Sequence, residues 1–389
     1  MPKQISSRSA LILIVIAQFL GTSLWFAGNA AAGEWEILLE KEGIVPSLTM
    51  IVQLGFIVGT LIFAIASFAD RYFPSRVFLL SSILAAAANL AILIFPLSFF
   101  TLMIFRFLVG FFLAGIYPVG MKIAADYFEK GLGSALGFLV GALVLGTAFP
   151  FLLKGLGIGI SWKVILGSTS LLAVVGGILV GVGVPNGPFR KKSPKLDFGL
   201  IPRFAKNAKL KGAAGGYFGH MWELYTFWAF LPVLIFTLTN GDISTENQYL
   251  LTFLIITAGG ISCALGGVMA GKIGSEKVAI WSLIGSGWCG LILLIFPEIP
   301  RLIILPFLMI WGILVTADSP QFSTLVAQSV PAEERGTALT LVNSLGFGLT
   351  VISIYLTRTL NEFLEPKMAI GLLFIGPVIG IAVFKYFRR

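Results

Sequence analysis

The chain has 389 residues, of which 57% are apolar and only 12% charged, with a mean hydropathy of +0.96. A soluble domain carries about 25% charged residues, so too few charges remain to cover a water-facing surface and lipid must face most of the molecule. The net charge of +9 would suit a nucleic-acid binder, but the basic residues are sorted along the chain rather than gathered on one face, and no nucleic acid is expected as a partner.

About 20 apolar residues in a helix cross the hydrocarbon. Twelve segments meet that length, over residues 10–31, 44–68, 76–97, 99–125, 133–154, 162–184, 212–238, 246–272, 276–295, 301–325, 335–358 and 365–386. Alternating β-barrel patterning is absent, so helices are the spanning element. The first segment, with Lys3 and Arg8 ahead of it and Ala30, Ala31 and Ala32 at its end, has some features of a signal peptide. Its length, and the presence of Gln18, Trp25 and Asn29, favour a retained helix, and Trp25 is also a candidate substrate contact. The second segment carries Gln53, a polar group for a cavity wall. The fourth carries Arg106, about seven residues from its outer end and roughly 10 Å deep.

Residues 185–211 form the only long polar stretch and hold eight of the 27 Lys and Arg: Arg190, Lys191, Lys192, Lys195, Arg203, Lys206, Lys209 and Lys211. They divide the chain into a first bundle (1–184), a basic linker (185–211) and a second bundle (212–389). With the N-terminus inside, twenty Lys and Arg fall on the cytoplasmic side and six outside, leaving Arg106 within the membrane. This obeys the positive-inside rule, so both termini and the linker are expected in the cytoplasm, a bacterial inner membrane being the expected setting. The linker's charge also suits contact with anionic lipid.

The seventh segment holds the sole histidine, His220, with Glu223 one turn on; their i, i+3 spacing shares a helix face. Glu223 lies about 16 Å from the cytoplasmic end, near the midplane. A midplane carboxylate can cycle protons or hold a cation, with His220 as its relay. Trp222 and Tyr225 flank the pair and are suited to stack on an organic solute or to fill the bundle. In the tenth segment Asp318 precedes Ser319 and Pro320. The proline frees the carbonyl four residues back, and Gln321 shares the face of Asp318, which gives a gate or ion site. Asn343 in the eleventh is a further cavity residue. Arg106 has two readings, an anion-binding or carboxylate-tuning group and an outward-reaching salt bridge.

The two halves repeat. Gly110 and Pro118 in the fourth segment are matched by Gly312 and Pro320 in the tenth, eight residues apart in both. A parallel repeat of this kind places substrate between the halves near the midplane. The loop after the second segment contains Ala66, Asp70, Arg71, Phe73 and Arg76. The loop after the eighth contains Gly267, Gly271, Lys272, Gly274 and Lys277. Here the chain resembles the major facilitator superfamily, whose signature in these loops is GxLaDRxGRr. Asp70, Arg71 and Arg76 match in the first copy, where Ala66 and Phe73 replace glycines; the second keeps both glycines but has Gly271 for the Asp. The resemblance covers the whole chain. It implies the twelve-helix fold of two pseudo-symmetric six-helix bundles and secondary transport by alternating access. It also implies a cytoplasmic latch built on Asp70, Arg71, Arg76, Lys272 and Lys277. The pattern is loosely similar to bacterial nitrate/nitrite and cyanate porters. Those nitrate porters, however, use arginines in helices two and eight, and none occurs in 44–68 or 246–272.

The expected function is transport of a small solute, coupled to protons, by a protein that works as a monomer. An efflux antiporter is the alternative, although Ala142 stands where the antiporter motif of helix five has proline. Small residues four apart, such as Gly55 and Gly59, suit close helix contact or sliding. With one histidine and no HExxH or carboxylate set, neither enzymatic activity nor a metal or cofactor is expected. Cys263 and Cys289 suggest neither a disulfide framework nor a metal site. A non-transporting sensor would add a soluble output domain, which these residues lack.

Overall fold

The computed structural model describes residues 5–128, 131–157, 159–190 and 196–388, apart from the side chains of Asp70 and Ala332. Among these described residues, twelve helices are long and apolar enough to cross a membrane. They are α1 (Ser7–Leu38), α2 (Val45–Ala66), α3 (Pro74–Ile94), α4 (Phe99–Tyr127), α5 (Leu132–Gly155), α6 (Trp162–Gly183), α7 (Ala208–Leu238), α8 (Thr245–Ile273), α9 (Ser275–Ile295), α10 (Arg301–Gln328), α11 (Arg335–Leu360) and α12 (Pro366–Arg388). The chain is therefore an all-α, multi-pass membrane protein. Helices are the form in which each span satisfies its own backbone without water.

The chain divides into two compact units, Met1–Ser193 and Pro194–Arg389. Within each, the same helices meet. In the first unit α2 packs on α4, and α1 on α5 and α6; in the second α8 packs on α10, and α7 on α11 and α12. Glycine makes the repeat-related contact possible in both. A methyl group added at Gly110 would stand 1.9 Å from the Val52 carbonyl oxygen, and one at Gly312 would stand 2.7 Å from that of Ile255. Neither glycine has room for a side chain while the helix backbones are this close.

Among the described residues three helices are broken by a turn, and α12 passes through a 3₁₀ segment at Leu372–Phe374. In α4 a turn at Ala114–Ile116 precedes Tyr117 and Pro118, and in α10 the break falls at Asp318, before Ser319 and Pro320. Proline supplies no N–H to the preceding turn, and the carbonyl it releases in α10, that of Thr316, accepts from the Cys263 thiol at 3.2 Å. The third break, at 23–26 in α1, has no proline. There the Thr22 and Ser23 hydroxyls bond back to the Gln18 and Leu20 carbonyls at 2.8 and 2.7 Å, contacts that bend helices.

The second half of the linker has local structure. Residues 198–206 are helical, and α7 starts at Ala208, one turn before the expected 212. Two polar residues explain both. Asp197 accepts from Gly199 N at 2.8 Å, and Asn207 caps α7 by accepting from Leu210 N at 3.0 Å. Asn207 also donates to Ser329 O, and Arg203 pairs with Glu334 at 2.5 Å. Lys191, Lys192 and Lys195 lie outside the described residues.

Candidate functional site

In the second unit α7 and α10 face each other along matched stripes. Trp311, Val315, Asp318 and Phe322, at helical spacing on α10, are all fully buried. His220, Glu223 and Phe227 form the opposing stripe on α7. The helices run antiparallel, so His220 meets Asp318 and Phe322, whereas Glu223 and Phe227 meet Trp311.

This pairing corrects the expected relay. The i, i+3 spacing puts His220 and Glu223 on one side of α7, yet each acid and base there turns to a different neighbour. Glu223 Oε2 accepts from Ser286 Oγ of α9 at 2.7 Å, and its Oε1 accepts from Trp311 Nε1 at 2.6 Å. His220 Nδ1 lies 2.8 Å from Asp318 Oδ1. That approach is off the line of a regular hydrogen bond, and His220 Nε2 and Asp318 Oδ2 have no hydrogen-bond partner among the described residues. The two pairs lie one helical turn apart on α7 and all three groups are fully buried, so they form one compact cluster. No Lys or Arg lies within ion-pair distance of it among the described residues. The break in α10 sets the cluster's shape. Asp318 sits at the junction, its carbonyl accepting from Gln321 N and Phe322 N at 3.0 and 2.9 Å.

The first unit buries a different charge. Arg106, 0% exposed, donates from Nη2 to the Leu24 and Trp25 carbonyls at 3.0 and 2.5 Å, and from Nη1 to Asn89 Oδ1 at 3.1 Å. The two carbonyls belong to the break in α1, where the helix no longer supplies them with donors. The guanidinium lies against Gly28, where an added methyl would come within 2.9 Å of Nε. Asn89 in turn donates to Leu166 O, Thr169 Oγ1 and Ser170 Oγ of α6. Of the two sequence readings for Arg106, the outward-reaching salt bridge is overturned. The side chain is enclosed, and among the described residues no carboxylate is within ion-pair distance. Asn89 is a residue the sequence reading missed; a lone amide in the apolar run of α3 was the available signal.

The other candidates separate. Trp25 and Tyr225 are buried, the first against Phe56 and the second against Trp228 and Phe347. Trp222 turns the other way from Glu223, its ring against Gly376 in a groove between α7, α11 and α12. Gln53 and Gln321 are buried and Asn343 half-buried. Of the latch residues, Asp70's side chain lies outside the described residues. Arg71, Arg76, Lys272 and Lys277 are exposed and make no ion pair among the described residues. The carboxylate beside the second copy, Glu276, pairs instead with Arg388.

Two comparisons bear on this arrangement. The family model described as Major Facilitator Superfamily matches residues 11–354. The crystal structure of a bacterial homolog to the human lysosomal transporter Spinster, in an inward-facing and occupied conformation, superposes with a TM-score of 0.69. It covers 100% of this chain and 98% of its own at 14% identity, a likeness of fold. No curated protein matches the chain.

Proposed function

The chain belongs to the Major Facilitator Superfamily, and from that premise we propose a proton-coupled carrier that moves a small solute by alternating access, with Glu223, His220 and Asp318 as its proton site. The family and fold make it a membrane transporter; the coupling rests on the buried cluster. Each ionisable group inside a membrane costs about 2.5–3.5 kcal/mol even on lenient insertion scales. Serine and threonine would tie α7, α9 and α10 together without that cost. Two carboxyl groups and one imidazole with no lysine or arginine beside them reach neutrality only by holding protons or by receiving a cation. The His220–Asp318 contact at 2.8 Å is the observation that carries the reading, because it sets a titratable base against a titratable acid in a buried site with no lysine or arginine beside them.

Arg106 argues against an anionic solute held at a membrane-buried arginine, since its Nη groups already serve Leu24, Trp25 and Asn89. A cation exchanged for protons at the acidic cluster is the second reading, and it makes the protein an antiporter. Purified protein warmed with a metabolite library should show substrate-dependent thermal stabilisation. The stabilising compound, added to proteoliposomes, should then move protons. Solute flux without any proton flux would remove the coupling, and the direction of proton movement separates symport from antiport. The topology follows from charge: an impermeant thiol reagent outside intact cells should fail to label Ser193→Cys, and labelling there would invert the assignment.

A further inference from the structure

On the outside of the first unit, a groove of about 690 Å³ runs along α2, α3 and α4 from the short helical turn Phe68–Arg71. One end carries three guanidinium groups, Arg71, Arg76 and Arg190; the rest is apolar, with Ile62, Leu80 and Leu84 among its walls. Leu84 is eight residues beyond Arg76 on α3, so the apolar part extends roughly 12 Å from the charged end. That is most of one leaflet's half of the ~30 Å hydrocarbon.

The charged end is built rather than incidental. Arg76 and Arg190 both lie against the ring of Phe73, at 4.8 and 5.6 Å from its centroid, a cation–π arrangement that holds two like charges at one aromatic ring. Arg190 is fixed by donating to Tyr72 O at 2.9 Å and to Asn186 Oδ1 at 3.1 Å. Its segment is docked on the end of α4, where Tyr127 donates to Pro185 O, Phe189 N donates to Asp126 O, and Gly187 lies against the Asp126 carbonyl. Arg71 and Arg76 have no carboxylate within ion-pair distance among the described residues; Asp70, whose side chain is not described, is the acid next in sequence. The apolar walls are open, with Leu80 59% and Ile62 41% exposed.

We propose that this groove binds one anionic phospholipid, its phosphate between Arg71, Arg76 and Arg190 and an acyl chain along α2 and α3 towards Leu84. Charge complementarity selects the headgroup. The groove's length selects a lipid over a soluble phosphate, which would leave the apolar walls empty. The site lies at the end of the helices that the charge bias assigns to the cytoplasm, and it is independent of the coupling proposed above.

Full-length protein, purified in detergent and supplied with phosphatidylglycerol or phosphatidylcholine, would be read by native mass spectrometry for retained lipid. Wild type should keep one phosphatidylglycerol in preference to phosphatidylcholine. The triple variant R71Q/R76Q/R190Q should lose that preference by roughly 100-fold, about fivefold for each arginine removed. A control with equal charge loss, R203Q/K206Q/K209Q, should keep it. Leu84→Trp retains all three arginines but fills the groove, and should weaken phosphatidylglycerol retention while leaving inorganic phosphate unable to compete. Equal loss in the two triple variants would reduce the effect to diffuse attraction by the basic stretch. No preference in wild type, or no effect of Leu84→Trp, would remove the site.

Discussion

In the first unit the fully buried charge is Arg106, and the acceptors it reaches among the described residues are backbone carbonyls and an amide. In the second unit the fully buried ionisable groups are Glu223, Asp318 and His220, and their partners include one another, a hydroxyl and an indole. Both sets sit beside a broken helix, α1 in one case and α10 in the other. The difference is protonation. A guanidinium does not lose its proton in proteins, so Arg106 has one state and serves as a fixed staple for carbonyls that the α1 break leaves over. A carboxyl group and an imidazole each have two states, so the second cluster can change its charge without moving an atom far. A helix break thus sits beside a fixed charge in one half and beside groups able to take or give up protons in the other.

The largest expected effect tests the switchable half. Glu223→Gln keeps the shape and the capacity to pair with Ser286, but it cannot release a proton. Accumulation driven by an imposed pH gradient should fall at least about a hundredfold in reconstituted vesicles, while solute binding or exchange stays measurable. This asks one group to supply the coupling, as expected for an intramembrane carboxylate. Accumulation against the gradient by this variant would move the coupling site elsewhere, with Asp318 the first candidate.

Arg106 should behave in the opposite way. Arg106→Gln leaves the Leu24 and Trp25 carbonyls buried without donors, at about 1–3 kcal/mol each. We expect loss of thermal stability and of folded yield, partly recovered in Arg106→Lys, which keeps the charge but not the planar fork. Whatever folds should keep the wild-type pH dependence of transport. A stable Arg106→Gln protein with altered pH dependence would break the contrast and place Arg106 in the coupling machinery.

How much of this was readable beforehand divides along the same line. The twelve spans were legible because a membrane imposes a length and a composition on each helix. The break at Pro320 was legible because proline acts through the local backbone, and the equal Gly-to-Pro spacing marked Pro118 as its counterpart. The three titratable residues stood out as rare charges in apolar runs. Their pairing did not, because a shared helix face says which side chains point the same way and not which neighbouring helix each one meets. The partners of Arg106 were the least legible, since backbone carbonyls have no residue type and α1 breaks without a proline. Asn89 was there to be seen as a lone amide but had no motif to mark it.

A smaller effect tests whether His220 and Asp318 act as a unit. His220→Ala should shift the pH dependence of transport and be milder than Glu223→Gln. Asp318→Asn should do likewise, and the double variant should be no worse than the more severe single. Contacting residues show coupling of roughly 0.5–3 kcal/mol in such cycles. Strict additivity in the transport rate would mean that the 2.8 Å approach carries no function.

The smallest expected effect is the most specific. Trp311→Phe removes the indole N–H that donates to Glu223 Oε1 at 2.6 Å, while a phenyl ring can retain the stacking on Phe227, now at 4.7 Å between centroids. A hydrogen bond to a charged group contributes about 1.5–3 kcal/mol, and it favours the ionised carboxylate over the neutral acid. Losing it should therefore displace the pH at which transport is half-maximal without abolishing accumulation, and thermal stability should change little because the packing survives. The same substitution has no route to Arg106, so it separates a change in proton affinity from a general loosening of the protein. If Trp311→Phe leaves the pH profile where it was, Glu223 does not titrate during transport, and the second cluster is as fixed as the first.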